Sequence, residues 1–127
     1  MIQVKWSNPE KNIIVWTFTA PWTFDEFYQA KDQADSMIDE VEGYVDSIFL
    51  PSSGQPVPTN SIHNLQNLIA KKHERHGYLV IVGARVFLIV LLNSLCELIL
   101  GLDLHMRVAK TQTEAQKIIA ALRSNRT

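Results

Sequence analysis

The sequence predicts an α/β protein: a single domain with a mixed sheet of five strands and four helices, in the order β-β-α-β-α-β-α-β-α. Three observations predict it. Strand-length runs of β-branched and aromatic residues alternate with longer stretches of helical period. Two Thr-x-x-Glu signatures, Thr23 to Glu26 and Thr111 to Glu114, mark helix starts. The most apolar stretch, residues 77–100, is broken by Gly83-Ala84-Arg85 into a strand-length piece and a helix-length piece. That division suits a parallel sheet covered on both faces.

Ile2–Trp6 and Ile13–Phe18 read as strands, and the turn-forming Ser7-Asn8-Pro9-Glu10-Lys11-Asn12 between them predicts a hairpin. In Trp22-Thr23-Phe24-Asp25-Glu26-Phe27, Thr23 caps a first helix, Glu26 reaches back to it, and Trp22 staples against Phe27. Ala30, Ala34, Met37, Ile38 and Val41 continue that helix on one face, and Gly43 ends it. Tyr44–Leu50 is a third strand. Three prolines and a glycine in residues 51–58 forbid regular structure. A second helix then places Ile62, Leu65, Leu68 and Ile69 inward and ends in the polar run Lys71-Lys72-His73-Glu74-Arg75-His76. Tyr78–Val82 is the fourth strand, Arg85–Leu100 the third helix and His105–Lys110 the fifth strand. The helix opened by Thr111 closes the chain with Ala115, Ile118, Ile119 and Leu122 on one side.

Composition narrows the function. The chain has 127 residues, 46% apolar and 20% charged, ordinary values for a globular protein able to bury a core. A net charge of -1 offers no basic stripe for nucleic acid. One cysteine, Cys96, excludes an internal disulfide and falls within an apolar run, the place of a buried small hydrophobe. The 77–100 stretch is too interrupted for a membrane span, which needs about 20 predominantly apolar residues. Residues 1–10 carry no signal core or cleavage site, which points to the cytoplasm.

Val15-Trp16-Thr17-Phe18, Trp22-Thr23-x-x-Glu26-Phe27, Val80-Ile81-Val82-Gly83-Ala84 and Thr111-x-x-Glu114-Ala115, in this order of elements, resemble the SpoIIAA-like family, the STAS and STAS/SEC14-type domains of bacteria. The resemblance implies a switch protein, in which a serine at the start of the second helix is phosphorylated and partner binding changes. The matching position is near Asn60-Ser61-Ile62-His63, with no aspartate before Ser61 and no glycine after the pair. Ser52-Ser53-Gly54 looks like the family motif but lies early in the loop. A phosphate on Ser61 would meet the free N–H groups of a helix start. The plainer role for Ser61 or Asn60 is to cap that helix.

No catalytic or metal motif emerges. His73 and His76 lack a third ligand, and the acids Asp25, Glu26, Asp32, Asp35, Asp39, Glu40 and Glu42 read as the solvated face of the first helix. Ser52-Ser53-Gly54 is no nucleophile elbow, and Gly83-Ala84-Arg85 falls short of a phosphate-binding loop. What needs explaining is the third helix, apolar nearly all round, which must be buried on more than one side. A homodimer would bury Val86, Ile89, Val90 and Asn93 against their copies. A carrier of an apolar, lipid-like ligand, as the SEC14 side of the resemblance implies, would open a pocket beside the fourth helix. Plain packing against Ile118, Ile119 and Leu122 is the third reading. Residues 51–59 follow a strand's carboxyl end, where open α/β sheets bind their ligands. The expected function is a non-enzymatic binding or regulatory module acting through protein–protein contacts, with no cofactor.

Overall fold

The computed structural model describes residues 1–19, 21–50, 73–83 and 106–126. They form five strands and two helices: β1 (Ile2–Trp6), β2 (Ile13–Phe18), α1 (Phe24–Asp39), β3 (Val45–Leu50), β4 (His76–Val82), β5 (Met106–Ala109) and α2 (Gln112–Arg126). The strands make one sheet in the order β1-β2-β3-β4-β5. The first pair is antiparallel and the other three are parallel.

The α/β class stands, and the expected architecture of five strands with four helices is corrected. Two helices are present among the described residues, and the element order there is β-β-α-β-β-β-α. The second expected helix falls outside the described residues up to residue 72, and the third, over 85–100, does so throughout. Helical apolar spacing is a weak guide at such places, because a parallel crossover requires enough chain to return and only usually a helix.

The hairpin forms because its turn satisfies itself. Asn8 Oδ1 accepts from the Asn12 backbone N–H at 3.2 Å, Ser7 N–H donates to the Ile13 carbonyl at 2.8 Å, and Lys11 takes a positive φ of 56°. The helix α1 starts where the capping box places it. The Thr23 hydroxyl accepts from Glu26 N–H and the Glu26 carboxylate accepts from Thr23 N–H, both at 3.2 Å. At the other end the chain needs a left-handed residue before β3, and Gly43 supplies it with φ 85°. The same device ends β4, where Gly83 has φ 67° and donates its N–H to the Ala109 carbonyl at 2.8 Å.

Strand alternation sorts the core into two faces. On one, α1 lays Phe24, Phe27, Ala30, Ala34 and Ile38 over Val4, Ile14, Trp16, Phe18 and Val45. Aromatic rings dominate there. Phe27 lies 5.7 Å from Trp16, 5.4 Å from Phe18 and 5.9 Å from Trp22, mostly tilted or edge-on. On the other face α2 covers a smaller, aliphatic cluster: Val15, Ile48, Val80 and Ala109 under Ala115 and Ile119.

Removing the α1 cap tests this account of the helix start. Thr23→Ala should lower stability by about 1 kcal/mol. In urea unfolding this would appear as a lower midpoint with an unchanged slope.

Candidate functional site

The residues that stand out are two neighbours in the middle of the sheet. Asp46 and Ser47 on β3 are 0% and 1% exposed, the buried polar pair among the described residues. Adjacent positions on a strand point to opposite faces, so the two side chains serve different layers.

Ser47 faces α1. Its hydroxyl accepts the Trp16 indole N–H at 3.2 Å and shares a second hydrogen bond of 2.7 Å with His76 Nε2. Asp46 faces α2. Its Oδ1 accepts the Tyr78 backbone N–H at 2.6 Å, and its Oδ2 accepts Arg123 Nε at 2.5 Å. The Arg123 guanidinium also donates to the Asn12 carbonyl, which takes the Asp46 backbone N–H as well at 3.0 Å. One patch therefore joins the hairpin turn, β3, β4 and α2.

A bulge in β4 makes both sets of contacts possible. Val45 pairs with His76 and Ser47 with Leu79, so β4 spends one residue more than β3 over this interval. The surplus falls at Gly77-Tyr78. It leaves the His76 side chain beside Ser47 and aims the Tyr78 N–H at the Asp46 carboxylate instead of a ladder carbonyl.

A third polar group holds the carboxyl end of α1. Arg75 donates to the carbonyls of Val41 at 2.6 Å, Ile38 at 2.9 Å and Gly43 at 3.0 Å. One of these carbonyls, that of Ile38, belongs to the last turn of α1, and the other two lie in the segment that leads from it to β3. His73 Nδ1 accepts the Arg75 backbone N–H at 3.0 Å, which assigns the ring proton to Nε2, the donor to Asp39 Oδ1 at 2.8 Å. The expectation that residues 73–76 form the polar end of a second helix is corrected here. His76 opens β4, and His73 and Arg75 bind α1.

Chemically, Ser47 and His76 have the spacing of a nucleophile and its base. Ser47 is buried among the described residues, however, and its oxygen already carries the indole N–H. His73 and His76 do not converge: one bonds Asp39 on α1, the other Ser47 on β3. Among the described residues no three of His, Cys, Asp and Glu gather as metal ligands, and no helix is long and apolar enough to cross a membrane. The exposed acids Asp25, Asp32, Asp39, Glu40 and Glu42 lie on the outer side of α1 or just beyond it. The candidate regulatory residues Ser53, Asn60 and Ser61 lie outside the described residues, as do the candidate interface residues Val86, Ile89, Val90 and Asn93.

Sequence reasoning missed the Asp46–Ser47 pair and Arg123. The signal available was an Asp-Ser dipeptide inside an otherwise apolar run, Val45 to Leu50, where a buried charge demands a partner. Comparison with protein-family models, curated proteins and solved structures found no match, so none of them points to the SpoIIAA-like domains. Fold and site together define a small mixed-sheet α/β protein with a buried polar seam between its layers.

Replacing Ser47 tests whether its hydroxyl is structural. Ser47→Ala strands the indole N–H of Trp16 in the core and should cost about 2 kcal/mol. Urea unfolding followed by tryptophan fluorescence would show the midpoint fall together with altered Trp16 emission.

Proposed function

We propose that this protein is a cytoplasmic, non-enzymatic binding module that acts through protein–protein contacts, as a homodimer. The observation that carries the reading is the strand order. Open α/β sheets bind small molecules in the crevice at a topological switch point, where the strand order reverses. Here the order runs from β1 to β5 without reversal, so that crevice does not arise among the described strands. The burial of Ser47 points the same way, because its pairing with the His76 imidazole is occupied in holding β2, β3 and β4 together.

The apolar surplus of residues 86–100 supplies a reason to associate. Val86, Ile89, Val90 and Asn93 are the residues we assign to the contact between copies, and the 51–61 segment, with Ser53, Asn60 and Ser61, to regulation. A small carrier of an apolar ligand is the second reading. It is favoured by the half-buried Trp22 and Phe49, which sit with Phe18 by the carboxyl ends of β2 and β3.

Native mass spectrometry of the freshly purified chain separates the two. A dimer mass with nothing added supports the module, whereas a monomer carrying a mass lost on denaturation supports the carrier. In the first case Val90→Glu should give a folded monomer; a dimer as tight as the unsubstituted one would exclude this interface, and loss of the fold would make Val90 a core residue.

A further inference from the structure

The strand β1 is an edge of the sheet, paired with β2 alone. Two bonds at its ends fix the direction of its main-chain groups. Thr19 N–H donates to the Met1 carbonyl at 2.7 Å, and Ser7 N–H donates to the Ile13 carbonyl at 2.8 Å. Both continue the register of β1 on β2, and hydrogen-bonded positions alternate along an antiparallel pair. Gln3 and Lys5 therefore turn their N–H and C=O groups inward, to Thr17 and Val15. Ile2, Val4 and Trp6 turn theirs outward, where no backbone partner meets them among the described residues.

The side chains give this edge a character on each face. Toward α1, Ile2 and Trp6 are half-buried on either side of the buried Val4. On the other face Gln3 and Lys5 are exposed, and Lys5 makes no ion pair among the described residues. The exposed acids of α1 lie beyond that helix, on the opposite face of the sheet, so they do not set the charge met at Lys5. Neither proline nor bulge blunts the strand. Its one guard against unwanted pairing is the lysine. A second copy laid antiparallel about Val4 would bring the two Lys5 side chains diagonally together on one face, an unfavourable placement for like charges. An acidic side chain there turns the same lysine into an attraction.

We propose that the β1 edge docks an extended segment of a partner protein by antiparallel strand addition. The side chains of that segment alternate between apolar residues beside Ile2, Val4 and Trp6 and acidic residues beside Gln3 and Lys5. Main-chain bonds to the outward groups supply the affinity, and the alternation supplies the choice of partner. This surface is separate from the contact between copies and adds a second kind of partner to it.

Two blocked peptides serve as probes, one alternating valine with glutamate and the other valine with lysine. Each is titrated into the isotopically labelled full chain and followed by amide NMR. The glutamate peptide should bind saturably, about fivefold tighter than the lysine peptide, and should move the amide signals of Ile2, Val4 and Trp6. Lys5→Glu, at an exposed position, should reverse that preference. Ile2→Pro removes an outward N–H and no bond to β2, at the first residue of a strand where proline is tolerated. It should weaken binding about threefold. Equal binding of the two peptides, binding of neither, or shifts confined to other residues overturns the proposal. So does movement of the same amides with protein concentration alone, which makes a second copy the occupant. Should Ile2→Pro fail to fold, the reversal by Lys5→Glu decides by itself. The contact assigned to Val90 and its neighbours is read separately by native mass spectrometry and stands or falls without these results.

Discussion

The buried dipeptide Asp46-Ser47 is the constraint on which the rest of this structure depends. A polar side chain in the interior is tolerable only when its hydrogen bonds are made inside, because the water it gave up is not replaced otherwise. Two such residues in succession on a central strand place that demand on both faces at once. Each face answers with groups from other elements. Trp16 and His76 come to Ser47 from the two neighbouring strands, and Tyr78 and Arg123 come to Asp46 from β4 and α2. The apolar clusters could tolerate small slips of one strand against the next. The polar seam cannot, since a shift of one residue would send Ser47 to the α2 face and Asp46 to the α1 face.

The bulge in β4 belongs to the same argument. A regular ladder between β3 and β4 would give the Tyr78 N–H a backbone acceptor and leave the Asp46 carboxylate one donor poorer. The extra residue at Gly77-Tyr78 breaks the ladder once and turns the freed donor to the carboxylate. Just before it, Arg75 gathers the carbonyl of Ile38 at the end of α1 and those of Val41 and Gly43 beyond it, so a few consecutive residues from 73 to 78 tie α1, β3 and β4 into one unit.

How much of this the sequence shows depends on the range of the interaction. The hairpin turn, the Thr23–Glu26 capping box and the stop at Gly43 are local, each settled by residues within a few positions, and they can be read directly. Strand β4 is read too short at its start because His73-Glu74-Arg75-His76 has the composition of a solvated turn. Its polarity is real, but its partners, Ile38, Asp39, Val41, Gly43 and Ser47, lie about thirty residues back. Arg123 is harder still. On a helical wheel it is one more cation near a helix end, suited to the dipole there. Only the fold reveals that it reaches Asp46, seventy-seven residues away. Chemistry that joins distant segments leaves no periodicity to find.

The two helices, finally, show why a buried charge belongs on one face and not on the other. Helix α1 is held by rings that tile the sheet at 5–6 Å spacings, and interlocking shapes of that size define position by themselves. Under α2 the sheet offers valine, isoleucine and alanine, and the helix answers with alanine and isoleucine. Those shapes are small and similar, so several placements would bury nearly the same area. Direction and distance must come from something less forgiving. An ion pair with a fixed carboxylate meets that need, because misplacing it costs far more than misplacing a methyl group. The buried charge in this core therefore sits where the apolar surface is least able to specify its own partner.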